Sequence, residues 1–460
     1  MAKPTKTIKR ELTPRKLEWL ARTKVLFNQV VEFYVRVLST HPNLLNTHSD
    51  DLYSVFERLT ISNKKHPCVP YPLPWSIPAM LRRAAIKKAY GVYQSWHSHR
   101  QRWEKQKNKA TLKGKKFAHR PPLLTRKYNF SVQFYKGAWK GTGVENELLL
   151  NLWTGTSWTW VKYKISGRDL PDNWKALSPT VVVKGNKPRL HIPLEKENFN
   201  YPKKLEVQTK KKDFKIVAVD LNMGDKLAVF TLLNSDGKAL ATKFIKGGSY
   251  LQSRRKRLLG KIAKSYSKTG IISSGHSRHK WDKIKQIQDY EAHRISRRIV
   301  DWATSQGANV IVFEHLGNLK PQKGKYSHKQ NQKRAYWLKS KIFDYTKYKA
   351  FTNGIITSRV NPANTSRLCA CCGEWVSRHH ADEPIGNYRV GADNFTCLAN
   401  PLHRGDADRN ASVNIGLKFL SRYDLVSLKG KPLVERPRLV SGLYIQGKSL
   451  ALSGRRVGMF

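Results

Sequence analysis

Apolar and polar residues change their spacing several times along the chain, and each change marks an element. The opening TKTIKREL reads as a short strand. Thr13 and Pro14 then supply N-cap and first-turn signals for a helix with apolar positions at Leu17, Leu20, Val30, Phe33, Tyr34 and Val37. A second helix is predicted from about Ser76 and Pro78, carrying Met80, Leu81, Ala89, Tyr90, Tyr93 and Trp96. From Tyr128 the period falls to two, with Tyr128, Phe130, Val132 and Phe134 alternating and Trp158, Trp160, Tyr163 and Ile165 following in another β-rich segment. Val181 to Val183 and Leu190 to Ile192 flank Lys184-Gly185-Asn186-Lys187, a hairpin signal. Residues 126–200 therefore predict a small antiparallel sheet or barrel, and the lysine-rich segment around 202–213 a domain boundary.

Beyond that boundary buried strands alternate with long helices. Ile216 to Val219 form a buried-strand run, followed by two strands in LAVFTLL and ALATKFI. Basic helical stretches over 250–265 and 276–305 lead to a second apolar strand, NVIVFE. A helix from about Ala335, a strand in GIITSRV, a cysteine cluster and a last helix near 408–422 complete an α/β order without an internal repeat. After about residue 423 the chain is basic with Gly and Ser, and little order is expected there.

Charge sets the class of partner. Lys and Arg number 86 against 32 Asp and Glu, a formal +54 over 460 residues, whose self-repulsion opposes compaction. Nucleic acid relieves such a load, so a polyanion is the expected partner. A membrane surface fits worse, because no stretch reaches the roughly 18 apolar residues of a span and the basic residues are spread along the chain. The N-terminal Met-Ala-Lys-Pro-Thr-Lys has no apolar signal segment, so a cytoplasmic location is expected. A hydrophobic share of 40% excludes a wholly disordered chain. Between Arg100 and Arg120 nine basic residues face one acid, Glu104. Arg100, Arg102, Lys105, Lys113, Lys115 and Lys116 are candidate phosphate contacts, as are Arg254, Arg255 and Arg257 on the later basic helix.

Against that background the acids stand out. Asp220 closes IVAVD and Glu314 closes VIVFE, and functional groups collect at strand ends in α/β sheets. Either one alone could equally cap a helix or pair with a lysine. Asp406-Ala407-Asp408-Arg409-Asn410 adds carboxylates at the start of an amphipathic helix, where the bland role is an N-cap. Three carboxylates on separate elements of a very basic domain point to Mg²⁺ and phosphodiesters, since a polyanionic substrate otherwise repels them. Two Mg²⁺ ions about 3.5–4 Å apart would reverse that repulsion, one ionising water and the other neutralising the leaving 3′ oxygen.

Of five cysteines Cys68 stands alone, while Cys369, Cys371, Cys372 and Cys397 cluster, which reads as a metal site before it reads as disulfides. Cys369 and Cys372 have the C-x₂-C spacing that grips one tetrahedral metal, followed by Gly373, which lets the knuckle turn. The position three after Cys397 is Asn400, so a fourth ligand comes from elsewhere. His403 is the nearest candidate, with His379 and His380 as alternatives, and one structural Zn²⁺ is expected.

In this order IVAVDLNMG, VIVFEHLGNL, AYWLKSKIFDYTKYKA, NTSRLCACCG, FTC and DRNASVNI resemble the nuclease half of TnpB, the transposon-encoded RNA-guided nucleases, and of the compact type V CRISPR effectors. The likeness covers about residues 213–420; over residues 1–200 it rests on the order strand, helical insert, barrel and on MLRRAAIKKAY. It implies an α/β multidomain protein. Residues 1–12 would be the first strand of a wedge-like β-barrel, 13–122 a helical recognition insert, and 123–202 the remainder of the barrel. A RuvC-like nuclease with an RNase H fold would take 213–364 and 406–422, a zinc-finger-like insert 365–405, and a basic tail 423–460.

The same resemblance implies that Asp220, Glu314 and Asp408 hold the metal, Asp408 being the match because it lies two before Asn410. Asn222 stands where the family often has Gly, and the second cysteine pair is incomplete. The implied activity is RNA-guided cleavage of DNA next to a short duplex motif, by a RuvC mechanism with two Mg²⁺. Guide RNA, target double-stranded DNA and its displaced strand are the implied partners, in a prokaryotic cytoplasm and on the nucleoid when DNA is bound; a homodimer is compatible with it. Two rivals remain. A guided DNA-binding module with weak or no cleavage has three intact carboxylates against it. An unguided structure-selective nuclease such as a junction resolvase would need neither the basic N-terminal half nor the cysteine insert.

Overall fold

The computed structural model describes residues 3–426, except 49–50, 65–66, 126, 271–272, 274 and 387. The basic tail expected after residue 423 falls, from 427 on, outside the described residues. The chain forms two compact units, residues 1–199 and 200–460.

The first unit runs β1 (Thr5–Thr13), α1 (Leu17–Thr40), α2 (Leu52–Thr60), α3 (Ala79–Thr111), β2 (Val132–Gln133), β3 (Trp139–Gly141), β4 (Glu147–Trp153), β5 (Trp158–Ser166), β6 (Trp174–Ala176), β7 (Thr180–Lys184) and β8 (Lys187–Lys196). All pairings are antiparallel, in the order β2-β7-β8-β1-β5-β4-β3 with β6 on β8. The N-terminal strand thus sits mid-sheet, and the helices are an excursion between it and the other strands. On β4 the period-two pattern sends Leu148, Leu150 and Leu152 inward, onto a core shared with Val30, Val31 and Tyr34 of α1 and Leu81, Ala85 and Ala89 of α3.

Three local features differ from the sequence pattern. Thr13 pairs with Lys164 as the last residue of β1, so α1 starts at Leu17 with Lys16 at its N-cap and no side-chain cap. Of the alternating segment 128–134 only Val132–Gln133 joins the ladder, because Asn28 of α1 takes the backbone of Phe130 in both directions, accepting from its N–H at 2.7 Å and donating to its carbonyl at 2.9 Å. The short α2 has no signature in the sequence pattern, since nine residues hold too few helical repeats to stand out.

The second unit runs α4 (Leu205–Gln208), β9 (Lys215–Leu221), β10 (Ala228–Asn234), β11 (Ala239–Ile245), α5 (Gly248–Thr269), α6 (Arg278–Ser305), β12 (Val310–Glu314), α7 (His328–Ala335), α8 (Lys339–Thr352), β13 (Ile356–Val360), β14 (Val376–His379), β15 (Asn394–Cys397), β16 (Arg404–Asp406) and α9 (Ala407–Ser421). The helix expected from about Ala335 begins at Lys339, after α7 has ended. Strands β9, β10 and β11 form an antiparallel meander, while β12 and β13 extend the sheet in parallel, in the order β11-β10-β9-β12-β13. Helices cover both faces. Val217 and Val219 of β9 and Ile311 and Phe313 of β12 pack with α6 and α8, whereas Ile216, Ala218, Val310 and Val312 pack with Ile415, Phe419 and Leu420 of α9. Helix α9 lies close enough that a Cβ at Gly416 would come within 2.7 Å of Leu233 and 3.2 Å of Ala218, which is why the helix carries glycine there. A small antiparallel sheet, β14-β15-β16, lies between β13 and α9 in the chain.

Candidate functional site

Side-chain parity places the acids. Strands β9 and β12 are parallel, with Val310 opposite Ile216 and Val312 opposite Ala218. Two residues further along the same face come Glu314 and Asp220, both on the α9 side because strand residues alternate. Helix α9 then contributes Asp408 from its first turn. Asp406 is the N-cap, its side chain accepting from the backbone N–H groups of Asp408 at 3.0 Å and Arg409 at 2.8 Å. The two neighbouring acids therefore divide the roles the sequence left between them: Asp406 starts the helix and Asp408 stands beside Asp220.

Asp220 is 7% exposed and Asp408 5%. Burial, then the negative charges of Glu314 and Asp408, push the Asp220 carboxyl well above the usual range, against Arg378 and a hydrogen bond from Asn222. Burial raises Asp408 as well, opposed by Arg378 and Lys226. Glu314 is raised by burial, opposed by the Thr365 hydroxyl, which donates to it, and by Lys418. Charge compensation comes from three elements. Arg378 of β14 donates to Asp408 at 2.6 Å and to the Ala392 carbonyl at 2.7 Å. Lys226, before β10, meets Asp406 at 2.6 Å, Asp393 at 3.0 Å and Asp408 at 3.9 Å. Lys418 of α9 donates to the carbonyls of Asn361 at 2.9 Å and Ala363 at 2.8 Å.

Helix α9 also clamps the loop after β13. Asn414 donates to the carbonyls of Thr365 and Leu368, at 2.9 and 2.7 Å, and Asn410 donates to Leu368 at 2.7 Å while accepting from the Ala370 N–H at 2.9 Å. Asn410, Asn414 and Lys418 recur every fourth residue and form one buried polar stripe. That spacing could have been read from the sequence. Nothing in the sequence marked Arg378.

The second cluster is Cys369, Cys372, Cys397 and His403, whose ligand atoms all lie within 4.8 Å of one another and could hold a metal ion. Cys369 Sγ is 3.7 Å from His403 Nδ1, and Cys372 Sγ is 3.4 Å from Cys397 Sγ, too far for a disulfide. The knuckle closes through the Gly373 N–H on the Cys369 carbonyl at 2.8 Å, with Gly373 at φ 77°, a region glycine favours. Burial pushes the Cys369 thiol up to about 12. His379 and His380 lie outside the cluster, and Cys371 and Cys68 are exposed. Among the described residues no other set of three or more potential ligands converges so tightly, the acids included: Asp408, Glu314 and Asp220 are each tied to a partner of their own.

The basic candidates are dispersed. Arg102, Lys105, Lys113, Lys115 and Lys116 are exposed on α3 and just beyond it, while Arg100 pairs with Glu104 at 2.7 Å. On α5, Arg257 is exposed and Arg254 half-buried. Arg255 turns inward, 4.5 Å from the centroid of Tyr336, and burial lowers its pKa.

Residues 340–415 match the family model of the Cas12f1-like TNB domain, and residues 5–154 that of the Aq_aa04 family. A TnpB-like protein of Aquifex aeolicus is 29% identical over 270 residues, 55% of this chain and 85% of that protein. The CRISPR-associated endodeoxyribonuclease Cas12f1 of Sulfoacidibacillus thermotolerans is 32% identical over 189 residues, 39% of either chain, so the match spans about two fifths of that nuclease. In fold, the chain aligns with the protein of a cryo-EM structure of a Cas12f1–sgRNA–target DNA complex at a TM-score of 0.50 and 12% identity, over 86% of this chain and 81% of that one. The class is an α/β multidomain protein resembling the Cas12 effectors. Within it, the chain is a relative of the TnpB-like proteins and the compact type V CRISPR effectors.

Proposed function

We propose that the protein is an RNA-guided DNA endonuclease whose cutting centre is Asp220, Glu314 and Asp408. The observation that carries this is that buried Asp220 on one strand feels the negative charges of half-buried Glu314 on the parallel neighbouring strand and of buried Asp408 at a helix start, inside a chain of net charge +54. The Cas12f1 relative is by name an endodeoxyribonuclease, and the fold neighbour is a complex with guide RNA and target DNA, which supports the same reading. In this reading residues 213–364 and 406–422 are a RuvC-like nuclease of RNase H type, 365–405 a zinc-finger-like insert, and the first unit a β-barrel with a helical recognition insert that holds guide and target. Base pairing supplies sequence specificity while the protein reads shape and a short duplex motif.

The donor sets fit the two metals. Burial raises the pKa of all three acids, and the charges of Glu314 and Asp408 raise Asp220 further; a divalent cation relieves both effects, so Asp220, Glu314 and Asp408 would hold Mg²⁺. Bound there, two such ions would supply water activation and neutralisation of the leaving oxygen. Three thiols and an imidazole within one cluster suit Zn²⁺, which would be structural. The chain's own residues do the rest. Asp406 sets where α9 begins and hence where Asp408 stands. Thr365 orients Glu314 while the Lys418 charge favours its ionised form, and Arg378 keeps a permanent positive charge beside Asp408 where a phosphodiester must approach three acids.

Substitution of the acids tests this. Asp220→Ala, Glu314→Ala or Asp408→Ala is expected to lower guided DNA cleavage by more than about 100-fold, beyond the 10–100-fold of an outer-shell partner, with RNA binding within a few-fold of wild type. Cleavage that survives all three changes would remove the nuclease reading, and cleavage of DNA unrelated to the bound RNA would favour an unguided nuclease.

A further inference from the structure

In the first unit a cleft of about 780 Å³ lies between α3 and residues 122–125 and 127–130, within the range of about 300–1,000 Å³ typical of ligand sites. Its floor is open: a Cβ at Gly91 would meet nothing within 4 Å, and Ser95 one turn on is small and exposed. Lys87 and Lys88 stand at one end of the helical wall and His99 at the other, a run of about 18 Å. The opposite wall carries the Tyr128 and Phe130 rings, 16° from parallel with centroids 5.6 Å apart, and Lys88 Nζ lies 4.3 Å from the Phe130 centroid. No Asp or Glu lines the cleft among the described residues.

This wall is fixed at both ends. Trp96 Nε1 donates to the Pro122 carbonyl at 3.1 Å, and Asn28 grips the backbone of Phe130. Anchored at Pro122 and Phe130, this wall stands off from α3 and keeps the cleft open and preorganised. Flat aromatic faces and unopposed ammonium groups suit bases and phosphates together, the combination by which single strands are held regardless of sequence. An apolar small molecule would have no use for the lysines.

We propose that this cleft is a docking groove for an unpaired stretch of nucleic acid, its bases stacked against Tyr128 and Phe130 and its phosphates along Lys87, Lys88 and Lys127. The proposal rests on the reading of the protein as a nucleic-acid enzyme and adds where a single strand is held. The full-length protein would be titrated by fluorescence anisotropy with labelled oligoadenylate RNA, oligoadenylate DNA and abasic DNA. Strands of about 20 nucleotides exceed common single-strand sites of about 4–16.

Wild type is expected to prefer an adenine strand over the abasic one by about 5- to 140-fold, the factor that stacking one base provides. Tyr128→Ala should abolish that preference. So should Ser95→Trp, which fills the cleft from an exposed helix position and leaves core and charge untouched. Both should leave abasic binding and its salt slope as in wild type. Tighter RNA would assign the groove to the guide and tighter DNA to the displaced strand. Undiminished preference in both variants, or a wild type that binds all strands without preference, overturns the groove and leaves the nuclease reading standing. A wild type that binds no strand at all overturns both.

Discussion

Asp220 shows how one side chain can make a protein less stable in order to serve it. Its carboxyl is pushed up by burial and by Glu314 and Asp408, so its folded pKa lies above its unfolded value of about 3.9. Stability from a raised acid is fully present below the unfolded pKa and is lost as pH rises through the folded one. Metal-free protein near neutral pH therefore carries a penalty that Asp220→Asn should lift. Thermal unfolding in a chelator is expected to show the variant more stable than wild type at neutral pH, by about 2–4 °C per kcal/mol relieved, with the gap closing as pH falls toward 4. Added Mg²⁺ should stabilise wild type and scarcely affect the variant. A variant less stable than wild type at neutral pH would mean that Arg378 and Asn222 already outweigh the repulsion.

Among the elements, β16 and α9 are the pair on which both clusters depend. His403 immediately precedes β16, β16 ends at Asp406, and α9 begins at Ala407, so the cysteine–histidine cluster and the first turn of the acidic helix are separated by one short strand. Cys369→Ser or Cys397→Ser is expected to lower zinc from about one per chain to a small fraction, measured by elemental analysis, and to destabilise the second unit, because structural zinc contributes folding free energy directly. Zinc retained by His403→Ala would move the fourth ligand elsewhere. The stripe on α9 makes a separate claim. Asn414→Ala takes the side-chain donor from the Thr365 carbonyl and one of two from the Leu368 carbonyl, which keeps Asn410, and should cost about 1–3 kcal/mol in denaturant unfolding, with cysteine metal content unchanged.

These elements also show what was legible in the sequence. IVAVD and VIVFE announced themselves because strands buried on both faces are apolar throughout, while the family resemblance pointed to Asp408 and nearness to Cys397 pointed to His403. What escaped depended on contacts between distant segments. Arg378 lies in an insert with no periodic pattern, and its value comes only from reaching Asp408, 30 residues away. The failed ladder at 128–134 depended on Asn28, 102 residues earlier, bonding a backbone that the alternation alone would have put in a sheet.

At the scale of the whole molecule, the excess of basic residues is spread over both units, so affinity should follow the number of phosphates neutralised and specificity should not. Changing Lys113, Lys115 and Lys116 together to Glu is expected to flatten the salt dependence of binding, by about 0.7–0.9 in log–log slope for each phosphate that is no longer neutralised. The metal content should not move, and an unchanged slope would return these lysines to an ordinary solvated surface. The direct passage from β16 into α9 bears on how far such a chain can be miniaturised. A peripheral insertion can usually be excised by splicing its ends. Here the stretch that leaves the sheet at Val360 comes back bearing Arg378, the Asp406 cap and the strand that launches the helix. Cutting it out would save length and leave Asp408 without a fixed address.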